Sequence, residues 1–378
     1  MATCSRTMIK VTTKYPLYLG LGLTTLLPVN AFSLTFQQSF TLPLSLEYET
    51  NPRLLASNKQ SVRRTSLKPA YSIMAIQENN QYSIDLGANI ERSSNQSASE
   101  DRDDPNITLG WTHDYETGQF GITADFSKQS TRVSEFDETG LVTTDNTRET
   151  RSVGANWTTS LSDRYTLDTN AEVTKVEFDS QTGSLNDFDN KAISSQLNYS
   201  LSDTVETYVR VSLSRFEPVS TSSTNFRSVD VGSSWDVSEQ LAVDGSIGIN
   251  KTSGADSASG WQAMFNAEYN TARSISTFGL SRSRSPSGQG VINESNQLSA
   301  GWTYNLSDIE DLGLDFNYRE NLTSNKNDTV RVIANYTREL SRQWDFTLSA
   351  QHRNRDDRFS NVSSNSLSAT IVYKLPDF

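Results

Sequence analysis

The sequence predicts an all-β chain: a transmembrane antiparallel up-and-down β-barrel of about 18 strands (16–20), with short periplasmic turns and longer extracellular loops. Three observations carry this expectation. Apolar and polar residues alternate with period two from Phe40 onward. A short turn of related sequence recurs at roughly 34–45 residues. Aromatic residues stand shortly before most of those turns.

The first residues read as a secretory signal over 1–31, leaving 32–378 as a single barrel domain. Arg6, Lys10 and Lys14 precede the short apolar run from Tyr15 to Val29, and small Ala31 follows. Cys4, the one cysteine of the 378 residues, lies inside this segment, so disulfide and zinc–thiolate chemistry are not expected of the mature chain. Losing three positive charges would take the formal net charge from −12 to −15. A surface that acidic argues against nucleic acid as a partner.

The strands follow in order, with starts expected near residues 40, 65, 81, 105, 119, 148, 164, 190, 205, 226, 240, 260, 274, 294, 311, 328, 343 and 364. Leu241, Val243, Ile247 and Ile249 share one parity, with Asp244, Ser246 and Asn250 on the other. Trp261, Phe265 and Tyr269 alternate in the same way with Gln262 and Glu268. L-S-D-R at Leu161, L-S-D-T at Leu201, V-S-E-Q at Val237, L-S-D-I at Leu306 and L-S-R-Q at Leu340 mark the short turns. Between them lie loops rich in Ser, Asn, Asp and Thr, none expected to run much beyond about fourteen residues or to plug a lumen.

Trp111, Trp157, Tyr199, Trp235, Tyr269, Trp302, Tyr336 and Tyr373 share the apolar parity near the short turns. Around a closed sheet they would form one interfacial belt. The chain ends on S-L-S-A-T-I-V-Y-K-L-P-D-F. A sheet in lipid can leave no open edge, so this last strand must pair with the first. It resembles the C-terminal insertion signal of bacterial outer-membrane proteins, with Tyr373 and Phe378 as its aromatics. That resemblance implies the barrel assembly machinery as a partner and the outer membrane of a Gram-negative bacterium as the place. The opening strand runs into Tyr48-Glu49-Thr50-Asn51-Pro52. This turn resembles the start of β-barrel porins associated with exopolysaccharide loci, which implies a pore or export accessory, a polysaccharide as a candidate partner, and no catalytic residues.

The inward parity is expected to carry Asp85, Asp125, Asp168, Glu172, Glu206, Asp244, Glu268, Asp315 and Asp345 as lumen-lining acids, against Arg210, Arg319 and Arg331. An acidic lumen raises the local cation concentration. The expected function is a porin-like channel for passive or guided passage of hydrophilic solutes or glycans. A non-conducting scaffold or adhesin using the polar loops is the alternative.

A lipid-modifying enzyme is a weaker reading. It would need His113 or His352, the only histidines, with a serine such as Ser364 or Ser366 in reach. No cofactor and no metal is expected. The clusters Asp101–Asp104 and Arg355–Arg358 lack the oxygen spacing of a calcium loop. Outer-membrane lipid and lipopolysaccharide complete the expected partners.

Overall fold

The computed structural model describes residues 34–140, 145–179, 185–255, 257–323, 327–357 and 360–375. The signal segment, Pro376 and Phe378 lie outside them. Over the described residues the chain forms nineteen strands and one short helix in a single closed antiparallel sheet.

The strands are β1 (Thr35–Glu49), β2 (Val62–Leu67), β3 (Ala70–Gln77), β4 (Asn80–Ser93), β5 (Arg102–Tyr115) and β6 (Gly118–Ser130). The helix α1 (Thr131–Glu138) follows, then β7 (Thr147–Ser162), β8 (Tyr165–Phe178), β9 (Phe188–Ser202), β10 (Val205–Pro218), β11 (Thr224–Asp236) and β12 (Leu241–Gly254). The chain continues through β13 (Ala258–Asn270), β14 (Ser274–Pro286), β15 (Ile292–Ser307), β16 (Glu310–Asn321), β17 (Asn327–Ser341), β18 (Trp344–Asp357) and β19 (Ser360–Leu375).

Strands β2 and β3 are two halves of one stave, so the barrel has the eighteen staves the periodicity predicts. Their register against β1 is continuous, with Leu44 opposite Leu67 and Thr41 opposite Ala70. The interruption falls where Pro43 and Pro69 bring no backbone N–H to the ladder. The sheet closes between β1 and β19, from Phe40 opposite Leu375 to Glu49 opposite Ser366. No strand edge is left open, which is what a lipid-embedded sheet requires.

Burial runs opposite to that of a soluble protein. Leu46, Ile84, Leu109, Val173, Ile247, Leu314 and Ile371 are exposed on the outer face. The buried side chains are mostly polar or charged and point inward, among them Glu49, Arg64, Arg102, Asp104, Asn293 and Arg353. Period-two alternation produces both faces at once.

One expectation fails here. Residues 131–140 and 145–146, between β6 and β7, fold inside the barrel instead of standing above it. Thr131 and Asn146 pair at the loop's base, with the Thr131 N–H donating to the Asn146 carbonyl at 2.9 Å. Ser130 caps α1, its hydroxyl accepting from the Arg132 N–H at 3.2 Å. The helix is only eight residues long, and an isolated helix that short is not stable in water. It persists because Phe136 is buried with Leu54 and Val362, and because the barrel wall meets its polar groups.

Candidate functional site: the inner constriction

The helix crosses the lumen. It leaves the wall at β6 and ends against β15, β16 and β17, on the far side of the ring. The last carbonyls of a helix have no partner within it, and here the opposite wall supplies four donors. Arg319 Nη1 and Asn293 Nδ2 donate to the Glu138 carbonyl at 3.0 and 3.2 Å. Asn321 Nδ2 and Asn327 Nδ2 both donate to the Thr139 carbonyl at 2.8 Å. Gly140 then turns the chain with φ of +72°, and a Cβ there would sit 2.5 Å from Thr329 Cγ2. Glycine meets both demands: a left-handed backbone and a close approach to β17.

The N-terminal half of the loop is held by charge. Glu49 on β1 accepts from Arg64 on β2 and Arg353 on β18, and from the Ser364 hydroxyl at 2.9 Å. Arg132 of α1 reaches this carboxylate at 3.5 Å, and also Glu91 at 3.5 Å and Asp145 at 3.8 Å. Asp145 in turn takes Arg102 at 3.6 Å, which is held by Asp104 at 2.8 Å. Arg353 also lies over the Phe136 ring at 5.1 Å. Every member is buried, and buried charges require such mutual satisfaction.

The turn after Glu49 belongs to the same assembly. Asn51 accepts the Leu55 N–H at 3.1 Å and donates to the Leu55 and Ser363 carbonyls. This aims Leu54, fully buried with φ of +47°, at Phe136. The Tyr48–Pro52 segment thus seats the inner loop.

Further along the helix, Glu135 is almost fully buried. Burial pushes its carboxyl up to about 7, and neighbouring Glu138 pushes the same way. Arg148, at 3.9 Å, and the Thr139 hydroxyl oppose the shift without cancelling it.

A second packed group narrows the mouth. Phe178, Phe188 and Phe216 cluster with Val176 on the inner wall of β8, β9 and β10, and Ile292 of β15 packs on them. The residue 287–291 turn reaches the same place, with Asn186 N–H donating to the Gly288 carbonyl at 2.7 Å.

The sequence-selected acids sit on the inner parity, and four share one arrangement. Asp85 faces Ser72, Asp125 faces Thr108, Asp168 faces Thr158 and Asp244 faces Ser234, each directly across the ladder. In each pair the hydroxyl donates to the carboxylate, at 2.7 Å for Thr108 and Thr158 and 2.9 Å for Ser234. A hydroxyl satisfies the oxygen without neutralising its charge.

The remaining acids are placed differently. Glu172 takes the Thr174 hydroxyl at 3.0 Å, Glu268 takes Asn270 at 2.7 Å, and Asp345 pairs with Lys374. Glu206 stands opposite Ser234 and Asp315 opposite Gly301. Arg210 donates to Gln196 at 2.8 Å and lies 5.3 Å from the Tyr208 ring centroid. Arg331 stands opposite Arg353. Of the selected residues, Arg319 meets the inner loop among the described residues.

On the outer face the aromatics meet in pairs near the short turns: Trp111 with His113 and Phe120, Tyr165 with Tyr199, Trp302 with Tyr304, and Trp344 with Tyr373. Trp157, Trp235 and Tyr269 are exposed, and Tyr336 donates to Glu310 at 2.7 Å. Trp344 and Tyr165 join this set without having been selected from the sequence.

The histidines assemble no nucleophile. His113 contacts Asn80 at 3.1 Å and His352 contacts Asn365 at 2.7 Å, while Ser364 faces inward to Glu49. The Asp101–Asp104 cluster is split as well, since Asp103 meets Arg92 at 2.9 Å and Asp104 turns inward to Arg102.

No protein-family model matches the chain, and no curated protein sequence matches it. Solved structures do. Acinetobacter baumannii OccAB4 shares 11% identity at a TM-score of 0.53, over 92% of this chain and 100% of that one. The outer membrane protein opdK of Pseudomonas aeruginosa shares 7% at 0.52, over 91% and 99%. Pseudomonas aeruginosa OpdO shares 9% at 0.52, over 90% and 97%. At such identities the likeness is one of fold alone, that of a closed antiparallel β-barrel.

Proposed function

We propose that this chain is an outer-membrane channel of a Gram-negative bacterium that passes small hydrophilic solutes, cations in preference, around a loop held inside its lumen. The observation that carries the reading is the crossing of α1 from β6 to the asparagines and Arg319 of β15–β17. A barrel of this size otherwise leaves an open aqueous channel. A rigid bar across it turns a wide pore into a selective one.

The short-turn end is read as periplasmic and the loop end as external. The Asp85, Asp125, Asp168 and Asp244 carboxylates, held by hydroxyls, give the lumen its attraction for cations. Surrounding lipid and lipopolysaccharide are the outer contacts on this reading, and the barrel assembly machinery receives the C-terminal strand.

Glycan passage linked to exopolysaccharide is the narrower version. It rests on the Tyr48–Pro52 resemblance, and that segment has a structural duty here as the seat of Leu54. A second reading, a silent scaffold, is favoured by the buried Phe178, Phe188 and Phe216 cluster at the mouth. Purified protein in planar bilayers separates the two. Steady cation-selective conductance supports the channel, block by added oligosaccharide supports the glycan version, and an electrically silent barrel supports the scaffold.

A further inference from the structure

The outer face carries a row of cations that pairing alone does not explain. Arg151 on β7 stands directly opposite Lys175 on β8, Lys191 on β9 opposite Arg215 on β10, and Arg227 on β11 opposite Lys251 on β12. Like charges directly across a ladder destabilise a sheet, and this happens three times on six successive strands. All six side chains are exposed. Arg151, Lys175, Lys191 and Arg215 share the carboxylates of Glu149, Glu177 and Glu217. Arg227 and Lys251 have no carboxylate within salt-bridge distance among the described residues.

The three pairs lie at one height. From Lys175 the row steps to Lys191, which faces Val173, and from Arg215 to Arg227, which faces Leu213. Each step is two residues toward the short-turn end. The aromatics descend in the same sense, from Tyr199 opposite Thr207 to Trp235 opposite Val205. Tilted strands of a closed barrel require such a staircase along any level line. Lys191 lies eight positions from Tyr199 on one strand and Arg227 eight from Trp235 on another. At ~3.3 Å per residue and a tilt of ~40° that is roughly 20 Å along the barrel axis, close to the apolar band of ~25 Å. The level line on the opposite side carries Glu320, Asp328 and Asp356, each facing the next across the ladder. That side is acidic at this level.

Beneath them the outer wall is hollow. Ala155 and Ala171 face each other across β7 and β8, and their small side chains leave a concavity of about 750 Å³. Ile122, Val153, Val173, Ile193 and Leu213 line its apolar part, and Lys191, Arg215 and Arg227 stand at its head.

We propose that this sector of the outer wall binds a multiply phosphorylated acyl glycolipid, the lipopolysaccharide of the outer leaflet. Its phosphates would lie along the Arg151–Lys251 row and an acyl chain in the Ala155/Ala171 hollow. Six cations across roughly 24 Å, at ~4.8 Å per strand, exceed what the single phosphate of a phospholipid spans. Glu177 already bridges Arg151 with Lys175 and Glu217 bridges Lys191 with Arg215, so an external anion is called for chiefly between Arg227 and Lys251, where a phosphate turns the repulsion into a bridge. The proposal rests on the outer-membrane reading for the identity of the lipid.

The test is made in detergent, where location and conductance play no part. Full-length protein, checked for the folded barrel by its heat-modifiable mobility, is titrated with purified lipopolysaccharide, with the same material dephosphorylated, and with phosphatidylglycerol. Lipopolysaccharide should bind at least tenfold more tightly than either of the others. Lys191→Ser, Arg215→Ser, Arg227→Ser and Lys251→Ser together should weaken it tenfold or more while the barrel stays folded. Ala171→Phe, which fills the hollow and leaves every charge, should weaken it severalfold. Arg92→Ser, outside the sector, should change nothing. Equal binding of dephosphorylated material or of phosphatidylglycerol, an unaffected quadruple variant, or an equal loss in Arg92→Ser would each overturn the proposal.

Discussion

Arg319 on β16 donates to the backbone carbonyl of Glu138, the last residue of the inner helix, at 3.0 Å. A cation at a helix C-terminus meets both an unpartnered carbonyl and the negative end of the macrodipole. With Asn293, Asn321 and Asn327 it makes the far wall a latch for the loop.

Removing the latch should widen the channel. Arg319→Ala with Asn321→Ala deletes two of the four donors, at about 1–3 kcal/mol for each buried bond lost. Single-channel conductance should rise, and protease should nick residues 131–146 in the variant while sparing the parent. Unchanged conductance would mean that the loop is held chiefly at its charged end.

The docked loop should be firmer in acid. The Glu135 carboxyl is raised to about 7 when buried, against ~4.3 when free. A buried acid with a raised value costs nothing below its free value. The cost grows as pH rises through the interval and is complete above about 7. Its size is on the order of 3 kcal/mol. Conductance should therefore increase between pH 5 and 8, and Glu135→Gln should flatten that dependence. A parent channel insensitive to pH in this range would remove Glu135 from the account.

Among the described residues, Glu49 is the carboxylate shared by Arg64, Arg132 and Arg353. Glu49→Ala leaves those arginines buried without it, which costs about 3–5 kcal/mol. The folded band should melt at markedly lower urea or temperature. A variant as stable as the parent would show that Glu91 and Asp145 suffice for the cluster.

Reversing inner charge should reverse selectivity. Asp244→Lys with Asp315→Lys should move the reversal potential in a salt gradient toward anion preference at nearly constant conductance. An unmoved potential would place the selective step at the constriction instead.

The apolar band can be tested at Ile371, exposed on β19. Ile371→Lys should impair membrane assembly, since a cation near the bilayer midplane costs ~2–4 kcal/mol. Normal insertion would put that residue outside the hydrocarbon.

The staves were legible in the sequence because a strand's two faces differ at every step, so alternation locates each one without knowledge of its neighbours. Trp261, Phe265 and Tyr269 against Gln262 and Glu268 is enough to place β13. The inner loop was not legible. Its burial depends on Arg132 meeting Glu49 and on Thr139 meeting Asn321, partners far away in the chain, and its composition resembles that of the outward loops. The acids were found by parity, yet parity could not separate Asp244, held by a hydroxyl, from Asp345, neutralised by Lys374. Arg102 and Arg148 share the inner parity as well, and parity alone does not mark them as part of the site. Each stands at the loop end of its strand with a carboxylate close in the chain, Asp104 for Arg102 and Glu138 for Arg148.

The seam between β1 and β19 also fixes an order of events. Tyr48 and Leu367 are partners, so the first stave made is completed by the last. Until then one flank of β1 stays unsatisfied, and an unpaired flank recruits other chains. Contacts so distant in sequence form slowly. The lifetime of the nascent barrel before closure, more than the strength of any contact in the finished one, therefore sets its risk of aggregation. Assistance during assembly should matter most at the two ends of the chain.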